Sequence, residues 1–173
     1  MPSPATGPAA SADTIADMFL FVQAKRAGVI KGDVTAADHV DQIRLVSWRW
    51  GLSASSALGN TQAGARRSYT ALTVVKRIDP ATTALMSVLA TNDEVKEARL
   101  GMRRPKGQQE DFFTVTLEAA RVTGIEHATS PEGEALETVS ISFTKVKVEF
   151  TPFTPSGKRG GATTFADELP RKD

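Results

Sequence analysis

The sequence contains no cysteine, and its formal net charge is only +1 over 173 residues. Without cysteine the chain can form no disulfide bond, no thiolate zinc site and no cysteine-based catalytic site. The balance of 21 basic and 20 acidic side chains gives no overall field that favours nucleic acid or an acidic membrane surface. No apolar run approaches the roughly 18 residues that a transmembrane helix needs. The composition, 40% hydrophobic and 24% charged, is typical of one globular domain.

The two ends of the chain differ in composition from the rest. Residues 1–17 are rich in Pro, Ala and Ser, and they lack both the basic and the apolar segments of a cleaved signal peptide. We predict a disordered leader at residues 1–17, a β domain at residues 18–153 and a flexible C-terminal tail at residues 154–173. If the protein leaves the cell, a route other than the signal-peptide route must carry it.

Alternation of apolar and polar residues predicts several β-strands. The predicted strands span residues 18–22, 41–50, 69–78, 113–117, 120–127 and 137–150. The one convincing helix spans residues 81–90, with Asp79 as N-cap and Pro80 at the first helical position. Residues 94–102 fit either a strand or a helix. We therefore predict a mainly β fold, an antiparallel β-barrel of two packed sheets with one short α-helix, or a two-sheet sandwich.

The last predicted strand, residues 137–150, changes phase along its length. Its apolar residues have odd numbers up to Phe143 and even numbers from Val146 onward. A shift of one residue moves every side chain to the other face of a strand. The pattern predicts a bulge near Thr144, or a strand that serves two different surfaces, as at the corner of a barrel.

Residues 51–68 form an unusually long connection between two predicted strands. Hairpin loops usually have two to five residues, and loops of more than about 12–15 are generally functional or disordered. One interpretation is a tolerated insertion; the other is a loop that becomes ordered against another molecule. Both tryptophans, Trp48 and Trp50, come just before this loop. We predict that they anchor its root in the core, together with Phe143.

The strand before the loop has apolar residues on both faces. Val46, Trp48 and Trp50 share one face by their spacing, whereas Ile43 and Leu45 share the other. An exposed face of a small barrel should be polar. Either the helix covers the second face or a second subunit does, because stable subunit interfaces resemble a protein core.

Few residues are candidates for catalysis or metal binding. The spacing of His39 and Asp41 would place both on one strand face, but two neighbouring ligands without a third are a weak metal signal. The serines of the long loop lack the G-x-S-x-G setting of a nucleophile. Residues 157–161 lack the spacing of a phosphate-binding loop. We predict no enzyme activity, no metal and no cofactor.

Several segments taken together resemble one known family. They are, in order, residues 18–22, 30–33, His39, 43–51, 72–79, 95–100, 113–117 and 137–145. Their order and spacing over residues 18–150 resemble the haemolysin-coregulated protein (Hcp) family, the tube subunit of bacterial type VI secretion. Any one of these segments occurs in many β-proteins, so the resemblance depends on their joint order.

The resemblance implies a β-barrel subunit that forms homohexameric rings, which stack into a tube. It also implies partners, namely other copies of the chain, effector proteins held within the ring, and the sheath and spike of the apparatus. Neither nucleic acid nor membrane insertion is implied. The expected location is the bacterial cytoplasm and then the extracellular space, reached without a cleaved signal peptide.

On this interpretation the long loop contacts the next ring, and two other strands supply the contact within a ring. The candidate residues are Gly51, Leu52, Leu58, Arg66 and Arg67 for stacking, and Ile43, Leu45, Val146 and Val148 for the subunit interface. Two alternatives stay open: a tail-tube-like subunit of a related contractile injection system, and a monomeric β-barrel module that binds a ligand at the tryptophan pair. An enzyme built on His39 and Asp41 is the least favoured.

Overall fold

The computed structural model describes residues 16–55, 67–104, 110–153 and 160–170. The strands are β1 (Asp17–Ala24), β2 (Gly28–Ile30), β3 (Ile43–Arg49), β4 (Leu52–Ala54), β5 (Arg67–Tyr69), β6 (Leu72–Arg77), β7 (Val95–Arg103), β8 (Asp111–Thr129), β9 (Ala135–Ser142), β10 (Lys145–Phe150) and β11 (Thr163–Glu168). One α-helix lies within these ranges, α1 (Ala81–Ala90), together with a single 3-10 turn at Ala37–His39. The ambiguous residues 94–102 belong to a strand, and most of the predicted leader lies outside the described residues. No helix in the described ranges has the length and apolarity needed to span a membrane.

The strands close into an antiparallel barrel. Pairing runs from β8 through β7, β1, β3, β6 and β9 and returns to β8. One sheet contains β1, β7, β10, β11 and the first half of β8; the other contains β3, β6, β9 and the second half of β8. This architecture confirms the predicted mainly β fold with a barrel of two packed sheets.

The corner of the barrel lies where the sequence changes phase. β9 ends at Ser142 and pairs with the second half of β8, whereas β10 begins at Lys145 and pairs with its first half. At the same level β8 bends at Ala119, whose φ is +47°. The predicted phase change therefore marks the passage from one sheet to the other. The two strands predicted at 113–117 and 120–127 are one bent strand of 19 residues.

A bulge in β3 corrects the prediction that its two apolar sets lie on opposite faces. The register of β3 against β6 shifts between Leu45 and Ser47. Leu45 lies opposite the buried Lys76, and Trp48 lies opposite the buried Val74. Directly opposed residues share a face of the sheet, so one extra residue turns Leu45 and Trp48 toward the same interior.

The C-terminal segment differs from the predicted flexible tail. Residues Thr163–Glu168 form β11, and all six have partners on β10. The backbone N–H and C=O groups on the free side of β10 offer hydrogen bonds to any extended segment that reaches them. The β-branched Thr163 and Thr164 and the aromatic Phe165 favour that extended conformation.

A cluster of charged groups is buried between β6, β9 and the start of α1. Lys76 and Glu137 are both fully buried and lie opposite each other in the two strands. The Lys76 Nζ atom lies 2.7 Å from Asp79 Oδ1 and 3.5 Å from Glu137 Oε2, and it donates to Thr82 Oγ1 at 3.1 Å. His127 Nε2 reaches Glu137 Oε2 at 3.1 Å. One ammonium group thus offsets the charge of two carboxylates, one fully buried and the other 5% exposed.

Candidate assembly site

The long connection between β3 and β6 begins and ends as a two-stranded hairpin. β4 and β5 pair with each other through Leu52 and Tyr69, Ser53 and Ser68, and Ala54 and Arg67, and they pair with no other described strand. The sequence predicts an uninterrupted loop here, because strands of three residues are too short to show alternation. A two-stranded hairpin alone is only marginally stable in water, so contacts outside it must fix its direction.

An aromatic cluster forms the root of this hairpin. The rings of Trp50 and Tyr69 stack at a centroid distance of 5.8 Å, and Tyr69 meets Phe143 edge to face at 5.5 Å. Trp48, two residues before Trp50, stacks on Phe113 of β8 at 6.0 Å. The structure places the three predicted core anchors at the margin of the core, where each is partly buried and packs against it. The root is further tied by Gly51, whose N–H donates to Thr70 Oγ1 at 2.8 Å.

A second set of contacts, the clamp formed by Arg67, Tyr69 and Asp167, joins the hairpin to β11. The guanidinium of Arg67 donates to both carboxylate oxygens of Asp167, at 2.5 Å from Nε and 3.0 Å from Nη2. The Tyr69 hydroxyl donates to Asp167 Oδ2 at 2.7 Å. Arg67 Nη2 also donates to the backbone carbonyl of Glu168 at 3.2 Å. Planar two-point contacts of this kind fix direction as well as distance.

The clamp changes the pKa values of its members. The hydrogen bond from Arg67 lowers the pKa of Asp167 below its ordinary value; the Tyr69 hydroxyl lowers it further, and burial opposes both. Hydrogen bonding and charge attraction from Asp167 raise the pKa of Arg67. Because the folded state favours the Asp167 carboxylate, the clamp stabilises the fold above the unfolded pKa of about 4. This contribution is lost as the pH falls through the lower folded pKa.

Tyr69 reports on the clamp, because it is the only tyrosine of the chain. Burial, followed by the hydrogen bond to Asp167, raises the pKa of Tyr69 to about 12. We expect the tyrosinate absorbance of the folded protein to rise with a midpoint near 12, against about 10 for an unperturbed tyrosine. The neutral phenol stabilises the fold fully below the unfolded pKa, and this contribution is lost as the pH rises through the folded value.

Two variants complete this titration, with folding followed by circular dichroism at each pH. Asp167→Asn should lower the Tyr69 midpoint toward the ordinary value without reaching it, since burial remains. Glu168→Gln removes a neighbouring charge of the same sign from an exposed side chain and should leave the midpoint unchanged. A wild-type midpoint at the ordinary tyrosine value would contradict the clamp geometry.

An apolar face extends beyond the closed barrel on β10 and β11. Val148 lies between Val115 of β8 and Phe165 of β11, and Phe150 lies opposite Phe113. Exposure increases along this face toward the sheet edge: Val115 is fully buried, whereas Phe150 and Phe165 are 41% and 45% exposed. The chain therefore builds an apolar sheet face that its described residues cover only in part.

The predicted interface residues fall in different places. Ile43, Leu45 and Val146 are buried in the barrel core of the chain itself, each at most 4% exposed. Val148 lies at the partly buried edge of the apolar face. Phe150 and Phe165 belong to that face but are missing from the predicted set. The composition of residues 154–173 predicted a flexible tail and not a strand paired with β10. The candidate stacking residues Leu58 and Arg66 lie outside the described residues.

The two residues considered for catalysis, His39 and Asp41, have different partners. His39 is buried against the ring of Phe19, and its Nε2 atom lies 3.0 Å from Asp111 Oδ1. Its Nδ1 atom lies 2.8 Å from Gln42 Oε1. Asp41 is exposed and lies 4.0 Å from Lys31 Nζ. His39 therefore ties the segment before β3 to the start of β8, and in the described ranges no three acidic or histidine side chains could hold a metal.

Comparisons with known proteins agree on one family. A family model described as type VI secretion system effector, Hcp, matches residues 19–150. Hcp1 from Salmonella typhimurium has 25% sequence identity and a TM-score of 0.70, over 89% of this chain and 95% of that chain. A type VI secretion system effector from Yersinia pestis has 20% identity and a TM-score of 0.68, over 88% and 100% of the two chains.

A third structure, the secreted protein Hcp3 from Pseudomonas aeruginosa, has 16% identity and a TM-score of 0.65, over 91% and 100% of the two chains. At 20% and 16% identity the likeness shows the shared fold alone. No curated protein matches the sequence. The family match spans the strands β2 to β10 in full and most of β1.

Proposed function

Because this chain belongs to the Hcp family of type VI secretion system effectors, we propose that it is a structural subunit of the secretion tube. In this proposal six copies form a ring, and rings stack end to end. The family match over residues 19–150 carries the proposal, since it includes nearly all of the barrel and the root of the hairpin. The subunit has a structural role and performs no catalysis.

Within the ring, the apolar face of Val148, Phe150 and Phe165 contacts a neighbouring copy. Exposed apolar patches at a sheet edge favour association with another chain. β11 pairs on one side with β10 and with no other described strand, so its second edge is open to a partner. A second copy of this chain is the partner that the family membership supports. Of the interface residues predicted from sequence, only Val148 remains in this proposed contact.

Between rings, the hairpin that begins at Gly51 reaches the next ring. Leu52 is 49% exposed, and Arg67 holds the start of the returning strand β5. A loop rich in small and polar residues loses conformational entropy when it becomes ordered, and this loss offsets part of the contact energy. Such a contact suits rings that must polymerise before export and separate afterwards.

The remaining partners follow from the same proposal. Copies of the chain assemble in the bacterial cytoplasm, enclosed by a sheath and capped by a spike. Effector proteins bind inside the ring and leave with it. Export through this apparatus uses no cleaved signal peptide.

A charge on the apolar face should separate the ring into folded subunits. In Phe165→Asp, a carboxylate would be buried against the neighbouring copy without a partner, at a cost of several kcal/mol per contact. We expect the mass measured by light scattering to fall from that of a ring to the 18.5 kDa of one chain. The circular dichroism spectrum should be unchanged, because Phe165 lies at the exposed edge of the sheet.

Val29→Asp is the matched control for this substitution. Val29 has the same 45% exposure as Phe165 but lies on β2, away from the apolar face. We expect this variant to form rings as the wild type does. Rings of normal mass in Phe165→Asp would exclude β11 from the ring contact.

A further inference from the structure

One strand, β11, takes part in both proposed contacts of the assembly. β11 carries Phe165 on the face proposed to touch a neighbour in the ring, and two residues later it carries Asp167, which binds the hairpin proposed to touch the next ring. We propose that Asp167 is a positioning residue through which β11 sets the direction of the stacking hairpin. The role in stacking rests on the proposed function, whereas the contact of Asp167 with the hairpin lies within a single chain.

This connection links the hairpin to a strand outside the barrel wall from which it arises. β4 and β5 are three residues each and pair only with each other among the described strands. The Trp50 and Gly51 contacts hold the hairpin at its root, close to the barrel. Arg67 lies at the far end of β5 from that root, opposite Ala54. The contact between Arg67 and Asp167 therefore holds β5 at the end away from the root.

β11 in turn is only lightly held by its own chain. It is an edge strand with six partners on β10, and five of its six residues are exposed. Asp167 is the exception, because the clamp partly buries it. An edge strand gains order when a second surface covers it. A neighbouring copy that packs on Phe165 would thus increase the order of β11 and, through Asp167, the order of the hairpin.

The consequence is an order of assembly. Contact within the ring reduces the entropy that the hairpin must lose on stacking, so completed rings stack more tightly than single subunits would. Rings form first and then stack. No change in the backbone of the barrel is needed, because the connection runs through one carboxylate and two side chains of β5.

The test compares Asp167→Asn with Glu168→Gln, and uses Asp167→Glu as the conservative rescue. Amide hydrogen exchange of residues 52–54 and 67–69 reports the order of the hairpin. Light scattering reports ring mass, and sedimentation over a range of ring concentrations reports association between rings. Midpoints of urea unfolding show whether the barrel itself is weakened.

For Asp167→Asn we expect hairpin exchange to be about tenfold faster and association between rings about tenfold weaker, because a charge-assisted contact is lost. Ring mass should stay at the wild-type value, and the urea midpoint should fall only slightly, by the contribution of the clamp to the stability of the fold. Glu168→Gln should behave as wild type, and Asp167→Glu should recover part of both effects. Wild-type hairpin exchange should also be slower in rings than in diluted subunits.

Two results would overturn the inference. Unchanged hairpin exchange in Asp167→Asn would show that the clamp does not position the hairpin. Exchange accelerated throughout the barrel as much as in the hairpin, with a large fall in the urea midpoint, would show a general structural role instead. A wild-type protein that forms no rings would overturn the proposed function, and hairpin exchange would still decide whether Asp167 positions the hairpin.

Discussion

Replacing residues 55–66 by the dipeptide Asn-Gly should leave rings intact and abolish their stacking. This variant joins Ala54 to Arg67 directly through a two-residue turn that suits paired antiparallel strands. It keeps β4, β5 and the clamp, so the barrel and the ring contact are untouched. Because the excised residues would make most of the contact with the next ring, we expect association between rings to weaken at least about 100-fold. Sedimentation and negative-stain images would measure this loss.

A second variant distinguishes the effect of loop length on stacking from the effect of loop sequence. It keeps the 12 residues at positions 55–66 but shuffles their order. If specific side chains carry the contact, the shuffled loop should stack as poorly as the Asn-Gly variant. Long tubes formed by the Asn-Gly variant would contradict the assignment of this segment to stacking.

Lys76→Met should lower the free energy of unfolding by about 3–5 kcal/mol, because it removes one partner of a buried ionic cluster. The methionine fills a similar volume, so the loss reports charge rather than packing. Asp79 and Glu137 would then be buried without their shared cation, and Glu137 Oε1 already has no hydrogen-bond partner among the described residues. Urea unfolding of the variant and the wild type measures the difference.

Arg77→Met is the matched control, since Arg77 is the next residue and points to the other side of β6. It forms an ion pair with Glu134 in which both side chains are substantially exposed. Surface pairs of this kind contribute at most about 1 kcal/mol. The double variant Lys76→Met with Glu137→Gln should recover part of the loss by removing one uncompensated charge. A loss in Lys76→Met no larger than that in Arg77→Met would contradict the buried cluster.

The corner of the barrel could be predicted from the sequence because strand side chains alternate with a period of two. A change of parity between Phe143 and Val146 is a local pattern, and the structure turns from β9 into β10 at that point. The bulge in β3 could not be predicted in the same way. Its two apolar sets also differ in parity, but the sequence does not say whether a bulge or a second covered face explains the difference.

The candidate site was predicted only in part. The two tryptophans and the unusual length of residues 51–68 predicted an anchored loop at this place, because both are local features of the sequence. Asp167 could not be connected to Arg67, since 100 residues separate them and only the pairing of β10 with β11 brings them together. The same holds for Lys76 and Glu137, whose burial depends on strand register rather than on composition.

The most direct test of the proposed tube subunit is light scattering behind size-exclusion chromatography, with negative-stain images of the main peak. The proposal predicts particles of six times the 18.5 kDa chain mass that appear as six-fold rings with a central opening. A monomer that persists over a wide range of protein concentration would contradict it. The tryptophan pair at the hairpin root would then become the leading candidate for a ligand-binding site.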